Sequence, residues 1–559
     1  MDPKIQNSLI TAIRRQQNNL ATFASFSKKY TLLRAFLILF ECPLFWEPEH
    51  LELFSQLISS VLALPNEAQV ILKGWWKSIY TTNQYQPVVR LLQNFVTFRI
   101  LINEPIFSIF PGKHVEDALK VLQILYSVNE TRTKEINYTE FYNDAINERF
   151  KVRKNFNAWV YGEDFSYCNY PFLLNSLTKS KLMAVESETQ MNNLVRGAIF
   201  ESLQSGQFMP FFMLRVRREH VVEDAFNIIS ATPSHDLKKQ LRVKFEEEAG
   251  VDAGGVKKEF FQIIVRELFD PKYGMFTYDE ETHFYWFNRD SLETNSEFFL
   301  IGAILGLAIY NQVILDVHFP PVVYKKLLDK KPTLEDLKIA NPDLGRGLQT
   351  LLDFDGDIKE VYDRNFQIEY ESFGQIKTYD LKPNAENIIL TEENRKEYVD
   401  LYVEFELVKS IEQQFNSFHR GFKEVCEGMV LSLLRPEELE LLVCGDPIFD
   451  FSALQAVCKY EDGYTATSQV IKWLWEILSS FSIESQKKFL FFTCGSDRVP
   501  VGGLTEMKFV ISRNGPDSDR LPTAHTCFNH LLLPEYTSKE KLREKLETAI
   551  KNSEGFGML

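Results

Sequence analysis

Cysteine is scarce and solitary in this chain. Seven residues (Cys42, Cys168, Cys426, Cys444, Cys458, Cys494 and Cys527) are scattered over 559 positions, an odd number without a single CxxC pair. That spacing excludes a disulfide framework and a paired-thiolate zinc site, and it fits a reducing compartment. Positive charge is also short: 62 Lys and Arg face 77 Asp and Glu, a formal net charge of -15. Duplex nucleic acid and anionic membrane surfaces select basic patches, so neither is expected as a partner. Long apolar runs are missing as well. The longest, Phe298 to Tyr310 (FFLIGAILGLAIY), falls short of the roughly 20 residues that span a bilayer and predicts a buried helix rather than membrane insertion. The opening stretch MDPKIQNSLITAIRRQQNN has no apolar core before a small-residue cleavage site, so a cytoplasmic location, with access to the nucleus, is the expectation.

What is present is apolar mass: 45% hydrophobic and 13% aromatic residues, enough at this length for about two to four domains. Residues 1–126 read as helical, with Leu32, Leu33, Phe36, Leu37 and Phe40 recurring at three- and four-residue steps. Trp46, Trp75, Trp76 and Tyr80 read either as core or as a recognition surface. Residues 127–212 read as a linker and a helical segment, because Ser127 to Phe156 is polar and charged. From Met213 strand-like and helical pieces alternate, as in LRVRREHVVEDAFNII and LRVKFEEE. GVDAGGVKKEFF is a glycine turn leading into a helix, but Gly255 is followed by Val256 and Lys258 by Glu259, which departs from a phosphate-binding loop. Asn365 to Leu381 predicts a strand pair turning at Gly374. A helix ending at Cys444, then Gly445, Asp446 and Pro447, is a stop signal. The last hundred residues read as a small α/β unit closed by a charged helix capped by Ser538.

The chemistry concentrates in LPTAHTCFNHLLLP, Leu521 to Pro534. If Thr523 to Phe528 is extended, alternation puts His525 and Cys527 on one face. An imidazole or hydroxyl beside a thiol favours the thiolate, the form that attacks acyl carbonyls. Cys527 is therefore the candidate nucleophile, and a small buried apolar residue is the other reading.

This stretch, with EGFGML at the terminus and LRVRREHVVEDA, FEEEAGVDAGGVKKEFF, GMFTYDE, LGLAIYNQVILDVHFP, ENRKEYVDLY and GSDRVPVGGL before it, resembles the HECT family of ubiquitin ligases, and within it the Angelman-syndrome branch. The likeness runs from about Leu214 to Leu559. It implies an α+β protein, a mainly helical N-terminal region followed by a bilobal domain. Residues 213–445 would form a large, mostly helical N-lobe and residues 446–559 a small α/β C-lobe, hinged at Gly445, Asp446 and Pro447. It further implies that Cys527 accepts ubiquitin as a thioester from a conjugating enzyme and passes it to lysines of a protein substrate for proteasomal degradation. No cofactor or metal is involved. His525, Thr526 and Asn529 would position the reacting groups, and Phe556, fourth from the end, would assist transfer. Leu344, Leu348, Leu351, Tyr398 and Tyr402 match the groove that holds the conjugating enzyme, although by spacing alone the tyrosine pair reads as core. Asp252, Glu259 and Asp316 align with acids that would deprotonate the incoming lysine; the other reading has them capping helices or pairing with Arg215, Arg217 and Arg218. Two rival readings are a non-catalytic helical adaptor and a cysteine protease of the deubiquitinase kind, the latter lacking a histidine on a separate element.

Overall fold

In the computed structural model the described residues are 11, 29–103, 112–132, 135–162, 164–205, 210–246, 255–448 and 450–552. They divide into two units, Met1–Leu182 and Met183–Leu559. The helical periodicity of the first unit is realised directly. In the helix Lys29–Phe40, Leu33, Phe36 and Phe40 are buried. Phe40 meets Phe54 and Trp76 edge to face at 6.0 and 5.9 Å, and Phe54 meets Phe95 at 5.3 Å. Trp76 and Tyr80 therefore belong to the core, Trp75 is half-buried, and Trp46 is exposed.

The interval Ser127 to Phe156, expected as a linker, is folded into this first unit. Asparagines do the ordering that apolar residues do elsewhere. Asn129 exchanges two 3.0 Å hydrogen bonds with the backbone of Ile136. The Asn143 amide donates to Gln93 Oε1 at 2.8 Å and its oxygen accepts from the Ile146 N–H at 3.0 Å, while Asn155 accepts from the Tyr167 N–H at 3.1 Å. All three are buried. A primary amide carries donor and acceptor together, so it closes loops as a surrogate peptide group.

The second unit begins within the helix Ser176–Ser205. Strands β1 (Phe211–Val216) and β2 (Gln240–Phe245) pair in parallel, burying alternate residues from Phe212 to Val216 and from Leu241 to Phe245. β3 (Phe276–Tyr278) and β4 (Tyr285–Phe287) form a short antiparallel pair. β5 (Gln367–Ser372) and β6 (Gln375–Asp380) form the expected hairpin, with Phe373 and Gly374 both at positive φ in the turn. The apolar run is a buried helix, Asn295–Tyr310, crossing the helix Glu412–Val425 at contact distance. A methyl group on Gly302 would overlap the Phe418 carbonyl, and one on Gly421 the Phe299 carbonyl.

The C-terminal part is an α/β lobe. Its sheet has the order β7 (Lys459–Glu461), β8 (Val510–Arg513), β10 (His530–Leu533), β9 (Thr523–His525), parallel except for β9. Leu474, Leu478, Phe489, Leu542 and Leu546 from three helices meet Ile511, Leu531 and Leu533 of the sheet. Every described buried member of this core lies between Phe451 and Ile550. Ser538 caps the last helix by accepting from the Lys541 N–H at 3.2 Å. The preceding helix Pro436–Cys444 stops at Gly445, whose φ of +74° and ψ of 175° exclude a side chain in practice. Asp446 then pairs with Val499 through two backbone hydrogen bonds of 2.7 and 3.1 Å. The architecture is the α+β, bilobal one expected.

Gly302→Ala should lower the stability of the protein by roughly 1–3 kcal/mol through overpacking of the helix crossing. Gly347→Ala, on a helix with open space around its Cβ position, should raise it by about 0.5 kcal/mol. Urea denaturation of the two variants measures both, and equal effects would show that the crossing yields.

Candidate active site

Strand β9 stops at His525, earlier than alternation predicts. Asn529 adopts the left-handed conformation (φ 50°, ψ 48°) and its N–H returns to the Thr526 carbonyl at 3.2 Å. Asparagine tolerates this region better than most residues. The result is a 3-10 turn over Thr526–Phe528 that reverses the chain, so that His525 lies opposite His530 in the β9–β10 pair. Cys527 is thus the middle residue of a turn at a hairpin tip, and the shared strand face expected for His525 and Cys527 does not form. The Cys527 side chain, and the whole of Phe556 and Asp252, lie outside the described residues. His525 and Phe528 are exposed and Thr526 is half-buried. The Asn529 amide donates to the Lys508 carbonyl at 3.3 Å, which makes it a brace for the turn. His530, given no role by the sequence reading, bonds the buried Ser512 hydroxyl at 2.8 Å and holds its ring 6.0 Å from that of His525.

The remaining cysteines are unsuited to nucleophilic work. Cys42, Cys168, Cys426, Cys444 and Cys494 are buried and Cys458 is half-buried. Burial pushes the thiols of Cys168 and Cys494 up to about 11 and those of Cys426, Cys444 and Cys458 up to about 12. Cys444 is also fixed by hydrogen-bond contacts of 3.0 Å with the Tyr324 hydroxyl and the Val317 carbonyl. A thiol that stays protonated at neutral pH does not attack acyl carbonyls.

The two described acids have different surroundings. Glu259 is ion-paired with Arg218 at 2.8 Å, as in the pairing alternative. Asp316 is exposed and lies 3.1 Å from His318 Nε2. The hydrogen bond from His318 lowers its pKa, with smaller contributions from Arg498 and Arg266, against partial desolvation by the protein packed around an otherwise water-accessible carboxylate. Among the described residues there is no group of three or more His, Cys, Asp or Glu able to hold a metal ion.

The five groove residues separate into two layers. Leu348, Leu351 and Tyr398 are buried in a core with Phe366, Ile368 and Leu390. The Tyr398 ring lies edge to face on Phe366 at 5.4 Å and on Tyr402 at 5.9 Å, and burial pushes its phenol up to about 12. Leu344 and Tyr402 are half-buried above them. The five residues expected in a groove thus form a three-residue buried floor with two half-buried residues above it, and for Tyr398 the core alternative holds, because the i, i+4 face closes its own core.

The two lobes touch through named groups. The helix Gly255–Leu268 lies against the Thr526–Phe528 turn, and Gln262 Nε2 donates to the Gly495 carbonyl at 2.9 Å. Arg498 reaches His318 Nδ1 at 3.4 Å. Alkylation of the native protein with iodoacetamide at pH 7 is expected to spare Cys426, Cys444 and Cys494 and to reach them only in denaturant. Peptide mass mapping reads this, and native labelling of any of the three would contradict their burial.

Comparison with known proteins places this geometry in a family. The model described as HECT-domain (ubiquitin-transferase) matches residues 262–559, more than half of the chain, including the cysteine turn. The human protein named Probable E3 ubiquitin-protein ligase HECTD2 is 40% identical over 553 residues, covering 94% of this chain and 70% of its own length. Human Probable E3 ubiquitin-protein ligase HERC4 is 37% identical over 586 residues, covering 100% of this chain and 55% of its own. Probable E3 ubiquitin-protein ligase mug30 of Schizosaccharomyces pombe is 35% identical over 477 residues, covering 79% and 58%. A matched span that covers the C-lobe and most of the N-lobe, and the HECTD2 and HERC4 relatives aligned along nearly the whole chain, establish that this protein belongs to the HECT-domain family of ubiquitin transferases.

Proposed function

We propose that this ubiquitin transferase acts as an E3 ubiquitin-protein ligase that carries ubiquitin as a thioester on Cys527. The observation that supports this most is the contrast between the hairpin tip, where Cys527 has exposed His525 and Phe528 on either side, and the five buried and one half-buried thiols that the described residues hold. In the first step the Cys527 thiolate attacks the carbonyl of the thioester joining ubiquitin to a conjugating enzyme. A new S–C bond forms, the old one breaks, and the conjugating enzyme's thiolate leaves. In the second step the neutral amine of a substrate lysine attacks. The N–C bond forms, the amine's proton passes to a carboxylate or to water, and Cys527 leaves as thiolate.

Within this reading His525 and Thr526 shape the surroundings of the thiolate, Asn529 braces the turn, and Phe556 assists transfer. Asp316 is the exposed acid suited to receive the lysine proton, Asp252 is the other acid that the resemblance offers for this role, and Glu259 serves first as an ion-pair partner. Leu344 and Tyr402 form the contact surface for the conjugating enzyme. Gly445, Asp446 and Pro447 form the hinge between lobes 213–445 and 446–559, across which the C-lobe swings. The partners are ubiquitin, a conjugating enzyme and a protein substrate, and the proposed outcome is proteasomal degradation. The proposed setting is the cytoplasm with access to the nucleus. The likeness to the Angelman branch supplied the groove and acid positions, whereas the relatives found carry the names HECTD2, HERC4 and mug30, so branch placement is a proposal of its own.

Incubation with activating enzyme, a panel of conjugating enzymes and ubiquitin should give a ubiquitin adduct that disappears on reduction, and Cys527→Ala should remove it without changing the unfolding temperature. A persistent reducible adduct in that variant would sink the assignment. Cleavage of ubiquitin chains without a conjugating enzyme would favour the protease reading, and function retained by Cys527→Ala the adaptor one. Leu344→Glu should slow loading by weakening docking while leaving stability near wild type. Tyr398→Ala should cost about 3 kcal/mol of stability, the loss typical of a large ring removed from a core; calorimetry and loading kinetics separate the two.

A further inference from the structure

We propose that Gln262 is a positioning residue for the second half of the reaction, holding the C-lobe where its cysteine turn rests on the helix Gly255–Leu268 for delivery to lysine. The inference rests on the reading of Cys527 as the ubiquitin carrier. Its geometry is specific. Gln262 Nε2 donates to the Gly495 carbonyl at 2.9 Å across 233 residues of chain. Gly495 ends the helix Ile483–Cys494 in the left-handed region, φ +74°, and a methyl group there would overlap the Gln262 amide. The backbone conformation favours glycine at this position, and a methyl group there would push the Gln262 amide out of its bond. The helix that Gly495 terminates packs on β9 and on the Thr526–Phe528 turn, so a bond that fixes Gly495 also fixes the turn.

The bond belongs to delivery because of what surrounds the turn in this arrangement. On the N-lobe it packs on the helix Gly255–Leu268, where Glu259, Gln262 and Arg266 recur at three- and four-residue steps along one side. Arg498 of the C-lobe reaches His318, whose other ring nitrogen holds the exposed carboxylate of Asp316 at 3.1 Å. A carboxylate that accepts the proton of an incoming ammonium is therefore gathered at the same lobe junction as the carrier turn. Leu344 and Tyr402, proposed to receive the conjugating enzyme, pack instead on the separate core around Leu348 and Phe366. Loading then requires the C-lobe to leave this position and delivery requires it to return. Gln262 favours the return without taking part in the first step.

The test is a pair of single-turnover measurements on the full-length chain. Gln262→Glu keeps the shape but replaces the N–H donor with an acceptor that faces the Gly495 carbonyl, and Gln262→Met removes the polar group. Loading from a ubiquitin-charged conjugating enzyme should stay within about twofold of wild type, while discharge of the Cys527 thioester to free lysine should slow about three- to tenfold, the range set by one net hydrogen bond. Unchanged discharge in both variants, or loading and discharge falling together, would overturn the proposal. Absence of any thioester in the wild-type protein would instead overturn the carrier reading on which it rests.

Discussion

The C-terminal lobe closes a hydrophobic core on itself, and the rest of the mechanism depends on that constraint. Its core members from Phe451 to Ile550 contact one another across three helices and a four-stranded sheet. Each large apolar side chain buried there contributes roughly 1.5–3 kcal/mol. The groups that join it to the N-lobe include the Asp446–Val499 bridge, the Gln262–Gly495 bond and the Arg498–His318 contact, and a net hydrogen bond contributes only about 1 kcal/mol. Cohesion within the lobe therefore greatly exceeds these polar links. A lobe built this way holds together as a unit, and Gly445 at its start takes a backbone conformation that side chains disfavour.

The same burial that makes the cores cohesive also selects the chemistry. A thiolate is disfavoured wherever water is excluded, so the cysteines placed in cores are held as thiols by their surroundings. The backbone of Cys527 lies instead at the tip of a hairpin whose turn is closed by Asn529 and followed by β10 from His530 onward. The histidines on either side are organised by the sheet: Ser512, fully buried on β8, orients His530, which faces His525 across the strand pair.

Much of the fold was legible in advance because it rests on local periodicity. The buried helix Asn295–Tyr310, the β5–β6 hairpin with its turn at Gly374, the stop at Gly445 and the capped final helix all follow from patterns spanning a few residues. The interval from Ser127 to Phe156 was misread because buried asparagines that substitute for backbone partners resemble surface polarity in a sequence. The layering of the groove residues was not legible for the opposite reason: an apolar stripe specifies that something is covered without saying whether the cover is the protein's own core or a partner.

By itself the sequence determined the elements, the family and the identity of the carrier candidate, since these depend on residues near one another along the chain and on motif text. Only the tertiary structure decided that β9 ends at His525, that Glu259 is ion-paired while Asp316 stands exposed, and that Gln262 meets Gly495. The last two pairings join groups 41 and 233 positions apart at hydrogen-bond distance, and no local pattern encodes a meeting that is fixed by the packing of whole lobes.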